Sequence, residues 1–133
     1  MHTAVLRGVE VHLVVSTKAD QLLVGFAQRS YYEQLLEYGV KIHAYKRIFL
    51  HAKHLTIDDR VTVLGSSNMD IRSFALNEEV NLIIYNRTLT AQMHAQQERY
   101  FRHAAQISLK KWRDRPWPVR VAQNVARLIS PLL

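Results

Sequence analysis

His51 and Lys53 stand two residues apart in a stretch that reads as a β-strand, so both side chains project from the same face. A neutral imidazole can attack phosphorus, and an ammonium beside it can hold the charge of a phosphate. Asp58 follows, and after six further residues comes Gly65-Ser66-Ser67-Asn68. A strand, a tight glycine turn and a Ser/Asn pair bring a hydroxyl and an amide back towards the same place, where both can donate to phosphoryl oxygens. Glu79 opens the next expected strand and is placed to accept from the second imidazole nitrogen, fixing its tautomer and orientation. Glu78 is the adjacent acid.

A lone histidine on a half-buried strand is usually a structural residue. His12, His43, His54, His94 and His103 lie outside this pattern and read as surface or packing residues. His51 differs because the full pattern HxKxxxxDxxxxxxGSxN is present. Six fixed residues at roughly 5% usage each make a chance match about 10⁻⁸ per start. This pattern is the HKD signature, and the sequence resembles the phospholipase D superfamily in every fixed position. Residues 6–11 (LRGVEV), 29–42 (RSYYEQLLEYGVKI), 67–74 (SNMDIRSF), 76–81 (LNEEVN) and 126–133 (ARLISPLL) resemble the bacterial cardiolipin synthase family around its second HKD motif.

The resemblance implies a phosphatidyl transfer between phosphatidylglycerol molecules. In that chemistry two HKD motifs meet about a pseudo-twofold axis. One histidine forms a phosphohistidine, the other protonates the leaving alcohol, and a second alcohol or water resolves the intermediate. Carried onto this chain, His51 is the nucleophile or the general acid. Lys53, Ser66 and Asn68 hold phosphoryl oxygens, and Glu79, which fits the family position better than Glu78, orients His51. Asp58 completes the signature, with a mainly structural role expected near the strand turn. No His/Asp/Glu grouping has metal-ligand spacing and the resembling chemistry is metal-independent, so no metal or cofactor is expected. One histidine cannot act on both sides of an in-line displacement. The second motif is therefore expected from a missing N-terminal HKD lobe, or from a second copy of the chain pairing isologously. A start inside a helix favours the fragment over the homodimer.

The elements that must position these groups follow from periodicity. Residues 1–7 read as the end of a helix stopped at Gly8, and 9–15 alternate as a strand. Asp20 opens a helical region to Tyr38 with a break near Ser30, and Gly39 closes it. Strands are expected at 40–45, 50–57, 61–64 and 79–85, with a polar turn at 58–60. A helix is expected at 88–109, capped by Thr88 or Thr90, with Leu89, Met93, Tyr100, Ala104 and Ile107 on its buried stripe. A short helix at 119–129 is stopped by Pro131. The fold class is α/β: a phospholipase D-like lobe with a mixed β-sheet flanked by helices, expected to lack its first strand and helix. The lobe is assigned to residues 1–109 and a basic, Trp-containing tail to 110–133.

The 133 residues contain 18 Lys and Arg against 11 Asp and Glu, a net charge of +7. That balance suits an anionic partner, whether lipid headgroups, nucleic acid or a phosphorylated substrate. The absence of cysteine excludes disulfides, cysteine metal sites and thiol nucleophiles. No run approaches the ~20 apolar residues of a membrane span, and the first 15 residues lack signal-peptide character. Lys110, Lys111, Arg113, Arg115 and Arg120 surround Trp112 and Trp117, a composition that favours the headgroup layer of an anionic bilayer. A bacterial membrane, cytoplasmic face or peripheral, is the expected location. The alternative function is a homodimeric HKD phosphodiesterase acting on nucleic acid, and the cardiolipin-synthase-like flanks favour lipid. A third reading is a non-catalytic remnant that folds poorly alone.

Overall fold

The computed structural model describes residues 1–18, 22–68 and 77–129, with Leu22 and Ile129 described by backbone alone. Asp20 as helix start, Met69 to Phe74 of the resembling run and Pro131 as a stop lie outside these residues. The described chain divides into two compact units, residues 1–50 with 103–133 and residues 51–102.

In the first unit, α1 (His2–Leu6) and α3 (Tyr32–Glu37) both end at a glycine in the left-handed region, Gly8 at φ 82° and Gly39 at φ 90°. Each closes with paired bonds: Gly39 N–H to the Leu36 carbonyl and Val40 N–H to the Leu35 carbonyl, both at 3.0 Å. The expected break near Ser30 is present. α2 (Leu22–Ser30) stops where the Ser30 hydroxyl donates to the Ala27 carbonyl at 2.6 Å. β1 (His12–Ser16) runs parallel to β2 (Lys41–Tyr45), and β6 (Ala104–Gln106) pairs antiparallel on the far side of β2. The sheet order β1-β2-β6 is thus mixed. Val15, Tyr32, Val40 and Ile42 form its core, with Leu35, Leu36, Ile107 and Trp112 packed against them. Burial pushes the Tyr32 phenol up to about 12, and Gln28 donates to its oxygen.

β6 replaces the end of the expected 88–109 helix. The helix α4 (Arg87–Arg102) stops earlier, and Ala104 pairs with Tyr45 while Ile107 N–H donates to the Ile42 carbonyl at 2.8 Å. The open edge of β2 offers hydrogen bonds that outcompete one more helical turn, and no Gly or Pro announces the change. The remaining elements of this unit are α5 (Leu109–Arg113) and α6 (Trp117–Ile129), the latter packed along α2.

In the second unit, β3 (His54–Ile57), β4 (Val61–Gly65) and β5 (Asn81–Tyr85) form an antiparallel sheet in that order. α4 covers one face. Thr62 and Thr90, both fully buried, share a hydrogen bond at 3.0 Å, and Thr56 donates to Gln97 at 3.0 Å. The cap of α4 is Asn86 rather than a threonine: its Oδ1 accepts from Leu89 N–H at 3.0 Å, and the Thr90 hydroxyl donates to the Asn86 carbonyl. The tail residues 110–129 pack within the first unit.

Candidate active site

β3 begins at His54, so His51 and Lys53 stand in the lead-in to the strand rather than within an eight-residue strand. They still converge. Lys53 Nζ donates to His51 Nε2 at 2.5 Å, with His51 exposed and Lys53 half-buried. An ammonium can only donate, so His51 Nε2 is the acceptor in this contact. The backbone ties Lys53 to the returning strand, because Gly65 N–H donates to the Lys53 carbonyl at 3.2 Å.

Gly65 stands opposite Asn81 at the end of β4. A Cβ at residue 65 would lie 1.9 Å from Asn81 Oδ1 and 2.6 Å from the Val80 carbonyl oxygen, so only glycine permits this approach. The next residue uses it. Ser66 N–H donates to the Val80 carbonyl at 3.0 Å, Val80 N–H donates to Ser66 Oγ at 3.0 Å, and Ser66 Oγ donates to the Glu79 carboxylate. Glu79 therefore precedes β5, held beside Ser66 and half-buried. Asn81 Nδ2 donates to Ser67 Oγ at 2.6 Å, and Asn68 is exposed at the end of the same loop.

At one end of the sheet Lys53 donates to His51 and Ser66 donates to Glu79, and the Lys53–Gly65 backbone bond ties the two segments together. Asp58 is not among them. It occupies the hairpin turn between β3 and β4 with φ 48°, at the far end of the four-residue strand β3 from Lys53. Its carbonyl accepts from His94 Nε2 at 2.8 Å. A left-handed position tolerates Asp better than most residues, which gives the signature aspartate a local reason to be there. Asn81 escaped the sequence reading. The repeated Asn in NEEVN was its only signal, since its contact with Gly65 depends on register.

The other histidines serve elsewhere. His54 is half-buried beside Tyr100, ring centroids 6.0 Å apart, and burial holds its imidazole below the ordinary value. His12 Nδ1 and His43 Nε2 lie within hydrogen-bonding distance at 3.0 Å, and His12 Nε2 lies 2.9 Å from Glu10, which also pairs with Lys41. No group of three potential metal ligands occurs among the described residues.

The basic tail is drawn largely into its own unit. Arg113 pairs with Glu33 and Glu37. The Arg115 guanidinium lies 3.6 Å over the Trp112 ring and reaches Gln123, and Arg120 stands 3.9 Å from Glu33. Trp112 packs on Tyr32, while Trp117 is 74% exposed. No helix among the described residues is long and apolar enough to cross a membrane.

Comparison with known proteins gives the family of the chain. Residues 1–101 match the family described as "Cardiolipin synthase, PLD-like domain". Cardiolipin synthase of Geobacillus kaustophilus is 41% identical over 133 residues, covering 100% of this chain and 26% of that protein. Cardiolipin synthase 1 of Staphylococcus aureus is 38% identical over 126 residues, 95% of this chain and 26% of that one. The chain thus spans about a quarter of the length of the curated relatives it matches. Two solved structures share the fold at 18% identity. Phosphatidylserine synthase of Haemophilus influenzae has a TM-score of 0.74, covering 98% of this chain and 37% of its own. The phospholipase D family member Nuc of Salmonella typhimurium has a TM-score of 0.67, covering 80% and 69%. The signature, the fold and these matches together make the chain a member of the phospholipase D-like domain family of cardiolipin synthases.

Proposed function

We propose that the chain supplies one histidine half-site of a phosphatidyltransferase that joins two phosphatidylglycerol molecules through a phosphohistidine. The observation that carries this reading is the convergence of Lys53 Nζ on His51 Nε2 at 2.5 Å, beside the Gly65-Ser66 turn. A phosphodiester entering between them exchanges the Lys53–His51 bond for contacts of Lys53 to its oxygens. As nucleophile, His51 Nε2 forms the P–N bond while the P–O bond to glycerol breaks, and the histidine of the other half-site protonates the departing oxygen. The hydroxyl of a second phosphatidylglycerol then attacks phosphorus, returns its proton to that second histidine, and releases His51. As general acid, His51 plays the opposite part. Lys53, Ser66 and Asn68 bind the phosphoryl oxygens. Glu79, which accepts from Ser66 in the structure, orients the His51 ring when substrate occupies Ser66.

This chain covers 26% of its Geobacillus kaustophilus relative, and the second HKD motif of this reading comes from an N-terminal lobe beyond it or from a second copy. The place of action is a bacterial membrane, at its cytoplasmic face or peripheral to it. The test measures cardiolipin and glycerol formed from phosphatidylglycerol vesicles by the chain and by His51→Ala. Product lowered on the order of 10³-fold or more by the substitution supports the reading. Product unaffected by it refutes the role of His51, and His51-dependent cleavage of DNA in place of lipid transfers the chemistry to nucleic acid.

A further inference from the structure

α6 carries a second apolar surface that the fold does not use. Its inner side is settled: Ala126 and Gln123 are buried, Arg115 donates to Gln123, and the Arg127 guanidinium lies 4.3 Å over the Tyr31 ring. The outer side carries Trp117, Val121, Val125 and Leu128, exposed by 74%, 49%, 54% and 80%. At 100° per residue these four fall within an arc of roughly 80°. One exposed valine is ordinary, but four aligned over three turns, ending in a tryptophan, form a stripe.

Charge decides what meets it. From Arg115 to the end of the chain there is no Asp or Glu, and the last acid is Asp114. Arg120, 3.9 Å from Glu33, and Arg127, over the Tyr31 ring, are engaged on the inner side, and Lys110 and Lys111 stand upstream. A second copy, itself at +7, would bring like charge against like. A helix with a tryptophan at one end, an apolar stripe and no acidic residue of its own, on a chain of net charge +7 with Lys110 and Lys111 just upstream, matches the interface of an anionic bilayer. There the apolar side chains enter the acyl boundary and the long cationic side chains reach the headgroups. We propose that the outer face of α6 docks the chain in the plane of an anionic lipid surface. The preference for lipid over an acidic protein rests on the phosphatidyltransferase reading, and this face would keep the chain at the surface where that substrate lies.

The test is sedimentation of the full chain with phosphatidylcholine vesicles, with and without phosphatidylglycerol. It is followed by the emission of Trp117, with Trp112→Phe isolating that ring. The expected result is binding that requires phosphatidylglycerol, weakens with salt, and shifts Trp117 emission to the blue. Val121→Asp/Leu128→Asp should weaken binding on the order of tenfold or more, and His51→Ala should leave it unchanged. Leu128→Ser, at the most exposed of the four positions, is the milder variant should the double substitution disturb the helix. Binding unchanged in both variants, no binding by the parent, or equal binding to neutral vesicles overturns the proposal. Self-association abolished by these variants, without vesicle binding, overturns it in favour of a second copy. Sedimentation needs no turnover, and His51→Ala separates failure of docking from failure of the catalytic reading.

Discussion

The two units solve the problem of burying side chains differently. In the first, Val15, Tyr32, Val40 and Ile42 make an apolar centre, with Ile42 at 0% exposure, and helices lie against the β1-β2-β6 sheet. In the second, the buried side chains among the described residues are two threonines bonded to each other, Thr62 and Thr90. The cross-strand rows Leu55–Val63–Ile83 and Ile57–Val61–Tyr85 share one face of its sheet. On that face Leu55, Ile57, Ile83 and Tyr85 are 48–80% exposed. Lys53, Gly65 and Asn81 continue the same alternation one step towards the site. Among the described residues, the unit that carries the HKD residues is thus the one whose apolar surface is less well covered, and the better-buried unit carries none of them.

The contrast predicts unequal responses to substitution. Ile42→Ala removes a fully buried side chain and should cost about 2–5 kcal/mol, read as a lowered denaturant midpoint. Leu55→Ser on the exposed sheet face should stay within about 0.5 kcal/mol. An equal loss at the two positions would break the comparison.

Gly65→Ala should follow, at about 1–3 kcal/mol, because the new methyl meets both the Asn81 side chain and the Val80 carbonyl. The shift needed to relieve it moves Ser66 and Glu79 together, so activity should fall more steeply than stability. An active, stable Gly65→Ala chain would mean that the tight turn does not position the site.

Acid should produce the smallest effect. Burial, with repulsion from His12 and Lys41, holds His43 below its ordinary 6.5, and burial alone does so for His54. The folded chain therefore binds fewer protons than the unfolded chain just below pH 6.5. That contribution to stability is complete above 6.5 and is lost as pH falls through the interval down to the folded-state values. His43→Gln should flatten this loss for the first unit and His54→Gln for the second. Stability that rises on acidification through this range would contradict both shifts.

The family signature was more legible in sequence than the elements that hold it. HxKxxxxD and GSxN require particular side chains at particular spacings, and no other arrangement of the chain uses them so economically. Gly8 and Gly39 were legible because a left-handed helix end selects glycine. Where β3 and β5 begin was not, because extended chain beside a strand has the same alternation as the strand itself. β6 was missed because Ala104 and Ile107 also fit a helical stripe, and pairing with β2 depends on a neighbour distant in sequence. The capping role of Asn86 could have been read from its place three residues before Leu89, had threonine not offered a competing cap. The exposed stripe of α6 has a helical period that sequence alone reads as core.

The central claim is that this chain holds one histidine of a two-histidine site. The direct measurement is cardiolipin formation from phosphatidylglycerol as a function of chain concentration, with His51→Ala in parallel and oligomeric state recorded at each point. The account predicts no product from monomeric chain. Any product should rise with the fraction of paired chains and vanish on His51→Ala. Product formed in proportion to monomer, or surviving the loss of His51, would contradict it.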